Sequence, residues 1–246
     1  MSNDNWNTLG RTHPIHAVDE LLDPENLNLA KCLSTRKALI VLSPTIRDLF
    51  GMRLHAYIAA HELHKSVIFV DSPSGEDSKV MDQVMHVLEC AQGFGLQRRD
   101  VIIAIGGGIC CDLVGLAATL FRRGLPHIKI PTTLLGIVDA GIGIKNAVNA
   151  PFGKNKVGTF TPPEATFIDT SFLKTLPKLE LLNGVAEIKK MGLVVDRAIF
   201  DILQTDGTYL VAQRFPSTSA AGSDLILRSI IAMQVELARD AFETGD

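Results

Sequence analysis

The stretch VIIAIGGGICCDLVGLAATLF, residues 101–121, decides the fold. The apolar run DVIIAI (100–105) has the length and the β-branched content of a buried strand. Three contiguous glycines (106–108) follow this run and open into a segment with helical spacing. Glycines permit close approach of a ligand, and a helix N-terminus attracts anions, so the turn is a candidate phosphate site. A plain tight turn is an equal alternative from this stretch alone, because the glycines do not follow the spaced GxGxxG pattern.

The segments on either side repeat the same alternation of strands and helices. Short apolar runs typical of strands cover 37–42, 66–71 and 128–130, and amphipathic helical spacing covers 45–63 and 78–94. Thr45 is the predicted N-cap of the first of these helices. Strands that alternate with helices in this way predict a parallel sheet with helices on both of its faces.

The second half of the chain has a different character. From about residue 165 onward the apolar spacing is mostly helical, whereas the first 35 residues are polar and rich in turn formers. The predicted organisation is a polar segment (1–35), an α/β domain (36–164) and a mostly α-helical domain (165–246).

Composition limits the classes of function. The chain has 246 residues, of which 46% are hydrophobic, and a formal net charge of −3. It is long enough for a sizeable core, and its charge gives no general attraction to nucleic acid or to an anionic membrane. Four cysteines without CxxC spacing indicate reduced thiols. The polar N-terminus does not resemble a signal peptide, and no apolar run has the length of a bilayer span. We therefore predict a cytoplasmic protein with no nucleic-acid or membrane partner.

A second polar stretch, IPTTLLGIVDAGIGIKNAVN (130–149), combines hydroxyls, Asp139 and Lys145 in apolar surroundings. A lone lysine there favours an anion ligand or a proton-transfer group over a solvated face, although a structural lysine covering apolar surface is the alternative. The loop FGKNKVG (152–158) adds three polar residues, Lys154, Asn155 and Lys156. The two stretches together predict a cationic site for a phosphorylated, hydroxyl-rich molecule.

The segment NGVAEIKKMG (183–192) places Glu187 one helical turn before Lys190. A surface ion pair is the usual explanation of this spacing. The apolar flanks leave room for a second reading, in which a metal-ligating carboxylate lies beside a catalytic lysine.

Two other conspicuous pairs are interpreted as structural. The histidines of HELH (61–64) lie on an ordinary amphipathic helix, where partly exposed surface residues are more common than metal ligands. Cys110 and Cys111 fall in the first turn of a helix and read as small packing residues, not as reactive thiols.

These motifs, in this order, resemble the sugar phosphate cyclases, the family of 3-dehydroquinate synthase. The resemblance covers roughly residues 36–246. Its motifs are SGEDSK (74–79), GGGICCDLVGLAATLFRRG (106–124), PTTLLGIVDAGIGIK (131–145), GKNKVGTF (153–160), FIDTSFLKTLP (167–177) and GVAEIKK (184–190). The resemblance implies an N-terminal NAD-binding domain with a parallel sheet, a C-terminal helical metal-binding domain, an active site between them, and a homodimer.

The resemblance also implies roles for individual residues. Arg123 would reach the substrate phosphate of the neighbouring subunit, and Glu187 would be one of three ligands of a divalent metal, zinc or cobalt. The implied catalytic and substrate-facing residues are Lys145, Lys190, Asp139, Asn155 and Arg123. The implied NAD contacts are Glu76, Lys79, Gly107, Gly108, Asp112, Thr132, Thr133, Leu135, Asp139, Lys154 and Thr175.

The C-terminal end of the sequence departs from the family. The sequence given stops at Asp246, before the two histidines that complete the metal site in the family. One carboxylate does not hold a catalytic metal, which usually needs about three protein ligands. The helical domain is therefore expected to be incomplete, the chain to be a fragment or a truncated form, and cyclase activity to be absent from it.

Two details favour one branch of the family. Met233 falls where dehydroquinate synthases carry a lysine that binds a substrate carboxylate, and DAGIGIKNAVN differs from their DSSVGGKT form. Both favour the branch that converts sedoheptulose 7-phosphate into C7 cyclitols such as 2-epi-5-epi-valiolone. Three alternatives stay open: a 3-dehydroquinate synthase, a member of the iron-dependent alcohol and glycerol dehydrogenases, and an inactive NAD-binding fragment.

Overall fold

The computed structural model describes residues 6–8, 11–63, 66–72 and 75–244, with side chains described from His13 to Leu237 within these ranges. The strands are β1 Trp6–Thr8, β2 Arg11–His13, β3 Ile15–Ala17, β4 Ala38–Leu42, β5 Val67–Asp71, β6 Val101–Gly106, β7 His127–Pro131, β8 Lys145–Ala150, β9 Gly153–Phe160 and β10 Ala165–Ile168. The helices are α1 Asn28–Leu33, α2 Pro44–Ala60, α3 Met81–Gly93, α4 Gly108–Leu120, α5 Leu134–Val138, α6 Lys178–Val194, α7 Arg197–Ala212 and α8 Ala220–Thr244. Short 3₁₀ turns cover Glu76–Ser78, Phe121–Arg123 and Thr170–Thr175.

Six strands form one sheet in the order β3-β10-β7-β6-β4-β5. Every pair in this sheet is parallel. The predicted parallel α/β fold is confirmed, and β6, which leads into the glycine turn, lies near the middle of the sheet. The carboxyl ends of the strands therefore meet at one edge, where open sheets of this kind bind ligands.

Helices cover both faces of the sheet, as the alternation predicted. Alternate residues of β4 divide between two buried clusters, because successive strand side chains point to opposite faces. Ile40 packs in the cluster that includes residues of α1 and α2, and Val41 packs in the cluster that includes residues of α3 and α4. Both residues are fully buried, so β4 contributes to two cores at once.

The sheet extends beyond both ends of the predicted α/β range, 36–164. It takes β3 from the N-terminal segment and β10 from residues 165–168, and these two strands pair with each other. Strands of three and four residues are too short to show a period, so the sequence pattern did not predict them.

The prediction of Thr45 as the N-cap of α2 is wrong. The cap is Ser43, whose Oγ accepts from the amide of Ile46, because Pro44 fits the first helical position.

A third buried cluster joins α5 to the helical C-terminal part. It contains Leu134 of α5, Ile188 of α6 and Leu225 of α8. Helix α6 approaches α5 so closely that a β-carbon at position 184 would lie 2.5 Å from Cγ of Leu134 and 2.7 Å from the amide nitrogen of Leu135. Gly184 therefore sets the distance between the two helices.

None of the described helices is long and apolar enough to cross a membrane.

The close approach at Gly184 yields a stability prediction. Gly184→Ala should lower the free energy of unfolding by about 1–3 kcal/mol in urea melts followed by circular dichroism, because the added carbon collides with α5. Gly207→Ala on α7 is the matched control, since a β-carbon there would be in ordinary contact, 3.6 Å from Leu203. The control should gain up to about 1 kcal/mol from helix propensity. Equal gains in both variants would show that α6 does not pack on α5 in this way.

Candidate functional site at the carboxyl edge of the sheet

The glycine turn joins the end of β6 to the start of α4. Gly107 is the N-cap of α4, so there is no cap side chain over the first amides of the helix. A β-carbon at Gly107 would lie 3.3 Å from Cγ2 of Thr133, and one at Gly108 would lie 3.3 Å from Cβ of Ala140. Bare backbone amides at the positive end of α4 thus form a shallow cradle suited to an anion.

Two threonines line the same edge after β7. The amide of Thr132 donates to the carbonyl of Gly106 at 2.9 Å, which joins this segment to the glycine turn. Thr133 caps α5, and its Oγ accepts from the amide of Gly136 at 3.0 Å. The buried Oγ of Thr132 has no hydrogen-bond partner within the part of the chain that the structure describes, so it is available to a ligand.

A lysine links three of the predicted site segments. Lys79 Nζ lies 2.6 Å from Oδ2 of Asp112 on α4, and it donates to Oδ1 of Asn155 at 2.7 Å. Burial raises the pKa of Asp112, and Lys79 opposes this by stabilising the carboxylate. The structure thus brings the predicted cofactor residues Lys79 and Asp112 together with the predicted substrate residue Asn155.

Glu76 belongs to the more exposed side of this network. Its Oε1 accepts from Nδ2 of Asn149 at 2.8 Å and lies 3.6 Å from Nζ of Lys154. The Asn149 hydrogen bond is the largest cause that lowers the pKa of Glu76. Asn149 also accepts from the amide of Asn155 at 3.0 Å, in the left-handed backbone conformation of that residue (φ 53°).

The third group of polar side chains lies where α6 faces the end of α5. Lys190 Nζ lies 2.6 Å from Oε1 of Glu187 and 3.6 Å from Oε2 of Glu236 on α8. Asp139 follows α5, and its pKa is raised to about 6, first by burial and then by the negative charges of Glu187 and Asp112. A carboxyl with a pKa in that range exchanges protons near neutral pH, as general acid–base groups do.

A metal does not fit the described residues. In the ranges whose side chains are described, no three histidine, cysteine, aspartate or glutamate side chains converge on one point. Glu187 has the burial of a ligand, with 18% of its side chain exposed, but its nearest partner is the ammonium of Lys190. Its role as one metal ligand stays a prediction.

Three further predicted site residues are exposed. Arg123 follows the C-terminus of α4, about 20 Å from the glycine turn by the length of that helix. It is exposed, with a left-handed backbone (φ 68°). Thr175 is exposed at the end of a 3₁₀ turn and donates to the carbonyl of Phe172, and Lys145 is exposed at the start of β8. The half-buried Leu135 lies on α5.

The sequence analysis did not single out two residues that organise the site. Asn149 connects Glu76 with Asn155, and Lys129 on β7 is fully buried beneath the turn that carries Asp139. A charged residue inside the run HIKIP was a visible signal for Lys129, since a buried strand rarely carries one.

An apolar groove of about 730 Å³ lies elsewhere, between α6 and α7. Its walls include Leu181, Val185, Phe200 and Leu203, and it contains none of the predicted site residues. The groove and the polar site are therefore separate features.

Comparison with known proteins agrees with this geometry. The family described as "3-dehydroquinate synthase N-terminal" matches residues 69–183, which include the glycine turn, the Lys79 segment and Asp139. The chain contains a 3-dehydroquinate synthase-like domain. Among curated relatives, a 2-epi-5-epi-valiolone synthase from Streptomyces hygroscopicus is 42% identical over 232 residues. A 3-dehydroquinate synthase from Pseudoalteromonas atlantica is 38% identical over 203 residues.

A solved structure extends the likeness to the fold. The solved structure of ValA, a 2-epi-5-epi-valiolone synthase from Streptomyces hygroscopicus with NAD⁺ and Zn²⁺ bound, superposes with a TM-score of 0.85 at 39% identity. That match covers 95% of this chain and 63% of the ValA chain. The two curated matches cover 91% and 82% of this chain but only 56% of each relative. The chain thus spans a little over half the length of these relatives.

The raised pKa of Asp139 predicts a stability cost at the site. Between the ordinary value of 3.8 and about 6, the folded protein holds a proton that the unfolded chain has lost, so stability falls as pH rises through that window. Asp139→Asn should therefore raise the free energy of unfolding at pH 7.5 by roughly 1–3 kcal/mol. The gain should disappear below pH of about 4.

The comparison is made by urea unfolding of both proteins across this pH range. The exposed Asp77→Asn variant serves as the control for a simple loss of one negative charge. A gain at Asp139→Asn that does not change with pH would contradict the assigned cause.

Proposed function

We propose that this chain supplies the NAD-binding half of a sugar phosphate cyclase, with NAD bound at the glycine turn. The observation that carries the proposal is the N-terminus of α4, where Gly107 and Gly108 leave the backbone amides open at the carboxyl edge of a central parallel strand. Pyrophosphate is the ligand chemistry that such an edge accepts. The NAD⁺ named in the ValA structure supports the same assignment.

The described residues fit the cofactor. Thr132 has a buried hydroxyl without a partner in the described part of the chain, and Asp112 lies one turn into α4 beside Lys79. Glu76 and Lys154 form the more exposed side, where together with the buried Lys79 they would bind a ribose and its hydroxyls. The proposed contact set is Glu76, Lys79, Gly107, Gly108, Asp112, Thr132, Thr133, Leu135, Asp139, Lys154 and Thr175.

The proposed reaction is phosphate elimination and intramolecular aldol cyclisation of sedoheptulose 7-phosphate to a C7 cyclitol. Bound NAD would supply reversible hydride acceptance. Lys145 and Lys190 would neutralise the phosphate dianion, and Asn155 would orient substrate hydroxyls. Asp139 would accept or return a proton near neutral pH, because its pKa of about 6 lets both forms coexist.

Metal binding and assembly belong to the same proposal. Glu187 would provide one ligand of a divalent metal, but the described residues do not complete the site. Arg123 would act in the site of a neighbouring subunit in a homodimer, since the length of α4 separates it from the glycine turn of its own chain. The four free cysteines fit a reducing, cytoplasmic compartment.

A 3-dehydroquinate synthase activity is the second candidate, supported by the Pseudoalteromonas relative. Met233 argues for the substrate that has no carboxylate, because a thioether cannot pair with one. Met233 is 4% exposed and packs in the cluster of α5, α6 and α8, so it is a core residue of the described structure as well.

NAD binding by the chain tests the first part of the proposal. Calorimetric titration of the 246-residue chain should show one NAD site per chain. Gly108→Val should weaken binding at least about tenfold, because its side chain would fill the cradle above the α4 amides. Gly93→Val, at the exposed C-terminal end of α3 with no atom near its β-carbon, should leave the affinity unchanged. Equal affinities for the two variants would overturn the placement of NAD.

Substrate choice is tested by binding to the NAD-loaded chain. Sedoheptulose 7-phosphate should bind more tightly than the carboxylate-bearing sugar phosphate used by 3-dehydroquinate synthases, since an unpaired carboxylate loses its hydration without a partner. Competition calorimetry with both ligands measures the ratio. Tighter binding of the carboxylate-bearing ligand would favour the dehydroquinate synthase candidate.

A further inference from the structure

Side chains of the sheet donate hydrogen bonds to the turn that carries Asp139. Lys129 Nζ donates to the carbonyls of Ala140 at 2.9 Å and Gly143 at 3.0 Å. Thr166 Oγ donates to the carbonyl of Gly141 at 2.7 Å. The carbonyls on both sides of the turn are therefore bound to strand side chains and not to solvent.

The two donors are neighbours in the sheet. Thr166 of β10 and Lys129 of β7 are register partners, and both are fully buried. Residues paired in this way point to the same face of the sheet. The amides of Ile142 and Gly143 donate to the carbonyl of Asp139, at 2.9 and 2.8 Å. The turn that Lys129 and Thr166 bind is therefore hydrogen-bonded to the backbone of Asp139.

Burying an ammonium to bind two carbonyls has a large desolvation cost. Burial lowers the pKa of Lys129, whereas Cys111, Asp112 and Asp139 favour its charged form. Two histidines lie close by. Burial and Lys129 together lower the pKa of His13 to about 4 and that of His127 to about 3, so both are neutral at pH 7 and add no positive charge.

We propose that Lys129 is a positioning residue for Asp139. It holds the 139–143 turn through the Ala140 and Gly143 carbonyls. This inference rests on the proposed function, because Asp139 is one of the residues that would face NAD and substrate. Lys129 itself lies beneath the turn and acts only through it.

Amide hydrogen exchange by NMR tests the anchor without any cofactor. Lys129→Met should speed exchange at Gly141, Ile142 and Gly143 by at least tenfold relative to amides of β4 in the same protein. Ser229→Ala is the matched control, because it also removes a fully buried donor to a carbonyl, that of Leu225. The control should leave the turn unchanged. If the Met variant does not fold, Lys129→Leu, which also removes the donor to both carbonyls, replaces it with the same expected increase. An unchanged turn would overturn the proposal.

A double-mutant cycle on NAD affinity separates positioning from a merely structural role. Lys129→Met should weaken NAD binding at least fivefold in the wild-type background and less than twofold in the Asp139→Asn background. The same factor in both backgrounds would show that Lys129 does not act through Asp139 and would overturn the proposal. A wild-type chain that does not bind NAD would refute the proposed function instead, and hydrogen exchange would then decide on the anchor alone.

Discussion

Close backbone contact around α5 is the constraint on which the site depends. This helix has only five residues, and three other segments approach its backbone. A β-carbon at Gly136 would lie 3.6 Å from the amide nitrogen of Gly108, one at Gly141 would lie 2.6 Å from the carbonyl oxygen of Gly136, and Gly184 brings α6 against Leu135. The glycine turn, the 139–143 turn and helix α6 therefore all pack against α5. Their relative positions are fixed, because close-packed interiors leave little room for adjustment.

The polar groups divide along this junction into two sets. Lys79, Asp112 and Asn155 form a connected network on the side of α4, whereas Asp139, Glu187 and Lys190 interact on the side of α6. The first set lies on the first turn of α4 and its neighbours, next to the glycine turn where NAD is proposed to bind. The second holds a proton-exchanging carboxyl and an ion pair but lacks a set of metal ligands in the described ranges. Within the described residues, the contacts therefore favour the proposed cofactor site over the proposed metal site.

Sequence patterns predicted much of this arrangement and missed the parts that depend on tertiary contacts. The β-branched run before the glycines identified β6 because a buried parallel strand reads as a continuous apolar segment. Periodicity could not reveal β3 and β10, whose three and four residues are too few to show a period. The resemblance to sugar phosphate cyclases supplied the site residues, but the structural role of Lys129 depends on its register with Thr166, which no local pattern encodes.

Hydrogen exchange of the whole chain, followed by mass spectrometry with and without NAD, tests the central claim most directly. The account predicts that NAD protects peptides covering residues 76–79, 106–113 and 132–139, which line the carboxyl edge of the sheet. Peptides from the groove between α6 and α7 should exchange at the same rate in both conditions. Protection confined to that groove, or no protection at the glycine turn, would contradict the account.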